Sequence, residues 1–216
     1  VPMPDIPDFG ELHAEQQAKG VLVNKFTANA HIPIVYGTRK VGGNVVFLQT
    51  SGTDNQYLYM AVVLSEGEIN SVETLFVNDH QVTLSGALTD GTQRTVASSD
   101  SNFFADSSLI TVEAHLGTDS QSASTLLSTL TSWTSNHRLR GLAYLALRFE
   151  WNADKFGSLP TVQAIIKGRK VYNPNLDGTV TGGTGSHRKD DSTTWEYSDN
   201  PILQLLDYLR NDRFGM

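Results

Sequence analysis

The side chains able to move protons, attack carbonyls or hold metals are spread thinly along this chain. Six histidines stand at His13, His31, His80, His115, His137 and His187. No two are four residues apart, as the two histidines of a helical zinc site would be. Acid–histidine neighbours include Asp79-His80 and Glu113-x-His115. Residues two apart in a strand share a face. Glu113 and His115 are therefore expected to meet as a satisfied surface pair, not as metal ligands. Glu66 and Glu68 have spacing open to general acid/base work, but they flank a glycine at a strand end, where acids commonly face water. Asp190-Asp191 is expected to be exposed in the same way. Gly178 to Lys189 is rich in glycine and ends in His187-Arg188-Lys189. It lacks the Gly-Lys-Ser/Thr ending that a phosphate-cradling loop needs. Gly-x-Ser-x-Gly is absent, so a nucleophile elbow has no support. Trp133, Trp151 and Trp195 are expected in the core, although Trp195, beside a loop, also suits a ligand platform. This reading assigns no catalytic, cofactor-binding or metal-binding residue, no cofactor and no enzymatic activity.

Composition narrows the classes further. The 216 residues carry a formal net charge of -7 and include 19 Ser, 21 Thr and 13 Asn. An acidic surface does not suit nucleic-acid binding, which needs an excess of Lys and Arg. Cysteine is absent, which excludes disulfides, a thiolate nucleophile and any cysteine-ligated metal centre. The apolar runs fall short of the roughly 18 residues a membrane span requires. The opening Val1-Pro2-Met3-Pro4-Asp5-Ile6-Pro7-Asp8 has no basic region and is broken by proline, unlike a signal peptide.

The elements that would position these residues are mostly strands. Residues 1–20 read as an extended proline-rich arm and a short helix closing at Gly20. From residue 21 to 216 the pattern is β-rich. Ile32 to Gly37 reads as a strand, and Val41-Gly42-Gly43-Asn44 as the turn of a hairpin leading to a strand at 44–49. Tyr57 to Leu64 is a nearly continuous apolar run, expected to be buried on both faces. Ile69 to Val77 alternates imperfectly, which predicts a bulge. Val77-Asn78-Asp79-His80-Gln81 is a turn, and 85–108 a loop with weak strands. Residues 109–116 form a strand. Leu126, Leu127 and Leu130 share one face of a short helix or helical loop. In 141–151, Ala143, Leu145, Leu147, Phe149 and Trp151 share one face, while Tyr144, Ala146, Arg148 and Glu150 share the other. This predicts a half-buried strand. Residues 162–168 and 170–172 form another strand, and 175–194 a mobile loop. Asn200-Pro201 starts a helix near 200–212, with Ile202, Leu205, Leu206 and Leu209 as its apolar face.

Five stretches in order carry a family resemblance: Ile32 to Gly43, Tyr57 to Ile69, Leu142 to Phe149, Ile166 to Pro174 and Trp195 to Gly215. Together they resemble the tail tip, or tail hub, proteins of long non-contractile-tailed bacteriophages. That family includes the lambda-type tip attachment proteins and the gene-transfer-agent hub. The resemblance implies an α+β, mainly β fold of hub-like domains with a C-terminal amphipathic helix, located in the virion at the phage tail tip. It implies a homotrimeric hub that closes the distal end of the tail tube and takes part in host attachment and DNA delivery. Its implied partners are the distal tail protein, the tape-measure protein and other tip proteins, with DNA only in transit. Receptor contacts would come from regions beyond this chain. Family members are much longer, so the chain is expected to be an amino-proximal fragment or a short member. The family shares no catalytic residues to carry over. Two other readings stay open from the residues: a carbohydrate-binding β-sandwich module with Trp195 and Tyr197 as stacking residues, and a hydrolase using carboxylates from distant loops.

Overall fold

A computed structural model describes residues 24–26, 30–97, 104–106, 108–156, 158–211 and 215. The arm and short helix expected over residues 1–20 lie outside these. Among the described residues, ten strands form two antiparallel sheets. The strands are β1 (Thr38–Val41), β2 (Asn44–Ser51), β3 (Tyr57–Glu66), β4 (Ile69–Val77), β5 (His80–Val82), β6 (Gln93–Thr95), β7 (Ile110–Leu116), β8 (Leu142–Glu150), β9 (Val162–Val171) and β10 (Glu196–Tyr197). One sheet has the order β1-β9-β4-β5, with β10 also paired to β9; the other has the order β2-β3-β8-β7-β6. A helix, α1 (Pro201–Arg210), follows the last strand. The chain is thus mainly β with one short α-helix among the described residues.

The inner faces of the two sheets share one core. Met60, Val62 and Leu64 of β3, Val112 of β7, and Leu145, Leu147 and Phe149 of β8 pack with Val72, Leu75 and Val77 of β4 and Val162, Ala164 and Ile166 of β9. A second cluster covers the outer face of the β3–β8 sheet. There Tyr59, Ala61, Val63, Tyr144 and Ala146 lie under Leu126, Leu127, Leu130 and Trp133 of the β7–β8 connection. The continuous apolar run in β3 is explained by this double burial.

The same cover corrects the half-buried expectation for β8, because Tyr144 and Ala146 are both fully buried. Trp151, assigned to the apolar face, lies beyond the strand and is 59% exposed. The expected short helix or helical loop around Leu126 to Leu130 is a 3-10 turn at Leu127–Thr129, and Leu126, Leu127 and Leu130 are all buried as one face requires.

The expected hairpin around Gly42-Gly43 does not form. Thr38–Val41 pairs with β9 and Asn44–Ser51 pairs with β3, so the two glycines carry the chain from one sheet to the other. The extended segment before β1 is no named strand. It lies against β9 instead, with Arg169 N–H donating to Val35 C=O at 2.8 Å and Gly168 N–H to Gly37 C=O at 2.9 Å. This approach is close enough that a Cβ at Gly168 would stand 2.1 Å from the Val35 carbonyl oxygen. Elsewhere the local pattern holds. The β4–β9 register slips between Val72 and Thr74, a bulge where alternation failed. Asn78 and Asp79 both take positive φ, 49° and 64°, the two-residue type I′ turn that suits a hairpin's twist.

Candidate functional site

Three places gather the polar and aromatic side chains picked out from the sequence. The first lies under the β7–β8 connection. Glu113 and His115 share a face of β7, with His115 Nε2 3.1 Å from Glu113 Oε1. They are not a surface pair: they are 1% and 3% exposed. Ser124 Oγ donates to Glu113 Oε2 at 2.9 Å and Leu126 N–H at 2.8 Å, while Thr125 donates through both its N–H and its hydroxyl at 3.1 Å. Burial works to raise the Glu113 pKa, but the hydrogen bonds from His115, Leu126, Thr125 and Ser124 outweigh it and hold the carboxyl at about 2. The His115 ring stacks on Tyr144 with centroids 4.4 Å apart. Burial, then the Glu113 charge, pushes the Tyr144 hydroxyl above its usual pKa. Gln121 completes the attachment. Its Oε1 accepts from Gly117 N–H at 3.0 Å, and its amide donates to the Arg138 and Leu142 carbonyls at 2.9 and 3.1 Å. The Glu113 bonds from Ser124, Thr125 and Leu126 fasten the cover to the sheet, which makes this a structural knot.

The second place is the segment expected to be a mobile loop at 175–194. Its polar residues include buried ones: Asp177 is 1% exposed and His187 2%. Tyr172 Oη donates to Asp177 Oδ2 at 2.7 Å, Thr179 N–H to Oδ1 at 2.9 Å, and Arg188 approaches Oδ1 at 3.2 Å. The Thr179 hydroxyl, then Tyr172, bring the Asp177 carboxyl down to about 2. His187 Nδ1 accepts from Asn173 N–H at 3.2 Å. Trp195 is neither core nor free: it is half-buried and its indole N–H donates to the Arg188 carbonyl at 2.8 Å.

The third is the seat of α1. Asn200 caps the helix by accepting from Ile202 N–H at 2.9 Å, with Pro201 in the first turn. The face turned inward is not the expected one. Leu203 and Asp207 are buried, while Ile202, Leu205 and Tyr208 are 73%, 56% and 44% exposed. Asp207 sets this rotation. Its Oδ2 meets Arg169 Nε at 2.9 Å and accepts from Tyr36 Oη. A carboxylate held by a cation and a phenol outweighs leaving apolar side chains in water, because breaking such a buried pair leaves an uncompensated charge. A further apolar surface lies at the sandwich end where β3 starts and β8 stops. There a cleft of about 220 Å³ is bordered by Leu58, Phe149, Trp151, Phe156, Leu159 and Pro160.

The remaining sequence candidates do not converge. His31, Asp79, His80, His137, Asp190 and Asp191 are exposed at separate points, and Glu68 is engaged by Lys170 at 2.7 Å. His13 lies outside the described residues. Trp133 is buried, as expected, with its ring edge-on to Phe47 at 5.0 Å. Tyr197 Oη is bonded to Thr38 Oγ1 at 2.8 Å and to Asp199.

No protein-family model matches the chain. Among curated proteins it is similar to the baseplate hub protein pb3 of Escherichia phage T5, with 25% identity over 224 residues. That alignment takes in 85% of this chain and only 22% of the hub protein. Among solved structures it is similar to a chain of the virion of a native gene transfer agent particle. There the TM-score is 0.45 and the identity 17%, over 67% of this chain and 28% of the other. The likeness to the hub protein supports a structural protein of the phage tail or baseplate, located in the virion. The lambda-type tip family is a narrower assignment than this likeness supports.

Proposed function

We propose that the chain is part of a homotrimeric phage tail hub, at the tail tip, that closes the distal end of the tail tube. The observation that carries the reading is a likeness to a baseplate hub protein running along 85% of the chain. In this reading the chain mates with the distal tail protein, the tape-measure protein and other tip proteins. Regions beyond it meet the receptor, and it takes part in host attachment and DNA delivery by shape, without turnover. Two features of the fold support work by surfaces. The outer face of α1 presents Ile202, Leu205 and Tyr208, and the far end of the sandwich presents Trp151 and Leu159. Apolar side chains grouped in this way gain by losing water against a partner. The net charge of -7 also suits a wall that DNA passes, because like charge repels phosphate.

Sedimentation across a range of concentrations, with the virion imaged by electron microscopy using an antibody to this chain, tests the proposal. A trimer and label at the tail tip are the expected results. A monomer at all concentrations together with label absent from the tail refutes it.

A further inference from the structure

At the sandwich end opposite the Trp151 cleft, five segments surround a polar cleft of about 230 Å³. Glu68 comes from the β3–β4 turn, Asp119 from the chain after β7, Gly141 from the residue before β8, Arg169 and Lys170 from β9, and Ser192 and Trp195 from the segment before β10. Its floor is main chain: a Cβ at Gly117 would stand 2.5 Å from the Gly67 carbonyl oxygen.

Charge decides what this cleft can take. Lys170 Nζ lies 2.7 Å from Glu68 Oε1, and Arg169 Nε 2.9 Å from Asp207 Oδ2. Both cations are already compensated, and Asp119 adds a negative charge. A phosphate or sulfate would meet no surplus of positive charge. A cationic ligand would find Asp119 alone to pair with, since Glu68 and Asp207 are engaged by Lys170 and Arg169. A neutral molecule with many hydroxyls meets neither difficulty. Its hydroxyls can donate to the carboxylates of Glu68 and Asp119 and accept from Lys170 and Ser192. Half-buried Trp195 adds a broad apolar ring for the C–H face of a sugar. The size suits one ring, being below the roughly 300–1,000 Å³ of sites for drug-sized ligands.

We infer that this cleft is a binding site for one neutral pyranose unit, with Trp195 as its stacking platform and Glu68 and Asp119 as hydroxyl acceptors. Tyr197, the other aromatic of the carbohydrate reading, is tied to Thr38 and Asp199 and lines no part of this cleft. The inference stands on the cleft alone and is independent of the hub assignment.

The test is saturation-transfer NMR and intrinsic fluorescence titration of the 216-residue chain. The probes are methyl glycosides of glucose, galactose and N-acetylglucosamine, with sodium sulfate as the anion control. A parallel glycan array distinguishes a terminal residue of a polysaccharide from the free sugar. Binding of at least one glycoside on the order of 1 mM is expected. Trp195→Ala should weaken it about tenfold or more, and Trp195→Phe should restore most of the loss because stacking returns. Glu68→Gln should weaken binding without moving the melting temperature. The idea is overturned if no glycoside or arrayed glycan binds, if sulfate binds in preference, or if a folded Trp195→Ala variant binds as the parent does.

Discussion

Replacing Glu113 by glutamine tests whether the cover over the outer sheet face is held by charge. The carboxylate is 1% exposed and is met by His115, Ser124, Thr125 and Leu126. Its pKa falls from 4.5 to about 2. At 1.36 kcal/mol per pKa unit, this shift links folding to the ionised form by about 3 kcal/mol. The folded-state pKa is the lower one. The contribution is therefore complete above about 4.5, the unfolded value, and is lost as the pH falls through about 2. Glutamine retains the shape, but it removes the charge and turns an NH2 toward donors.

In urea unfolding, Glu113→Gln should lower stability at pH 7 by about 3 kcal/mol with an unchanged m value, a large share of a typical domain's total. The difference between parent and variant should shrink steadily between pH 4.5 and pH 2. Reading the difference cancels the other carboxylates that titrate in the same window, Asp177 among them. Equal midpoints at pH 7, or a gap that does not narrow in acid, would refute the reasoning.

Four further perturbations probe the frame. Leu147→Ala empties a fully buried site between the sheets and should cost about 2–5 kcal/mol in denaturant unfolding. Gly168→Ala sets a methyl group 2.1 Å from the Val35 carbonyl oxygen and should destabilise by roughly 2 kcal/mol or more, seen as a lowered melting temperature. Asn200→Ala removes the cap from Ile202 N–H and should cost about 1 kcal/mol, with helix loss visible by circular dichroism. Deleting residues 179–190 costs little by loop length alone. It also removes buried His187 and the Thr179 and Arg188 bonds to Asp177, so the melting temperature should fall.

What could be read from the residues follows a physical division. β3 and the inner face of β8 were legible because burial against a facing sheet imposes a local pattern. The Asn78-Asp79 turn and the Asn200-Pro201 cap were legible because each depends on its own backbone geometry. The β1–β2 hairpin was misread because two strands joined by a short glycine turn look alike whether they pair together or with others. Glu113 was placed at the surface because alternation reports only one covered face, and the second cover comes from residues 117–141. The rotation of α1 followed Asp207 and its distant partners Tyr36 and Arg169, which helical periodicity does not record. The pyranose cleft draws on five separate stretches, none distinctive by itself.

The position of β9 has a consequence for biosynthesis. This strand is the central plank of its sheet, lying between β4 on one side and β1 and β10 on the other. Thr38 pairs with Lys167, so one stretch of chain waits for another made well after it. Until β9 has been made, β1 lacks its strand partner and β4 has only the short β5 along its edges. That half-built sheet is a sticky intermediate, and closing so long a loop is slow. Until residue 171 has been made, this sheet is therefore open to non-native contacts.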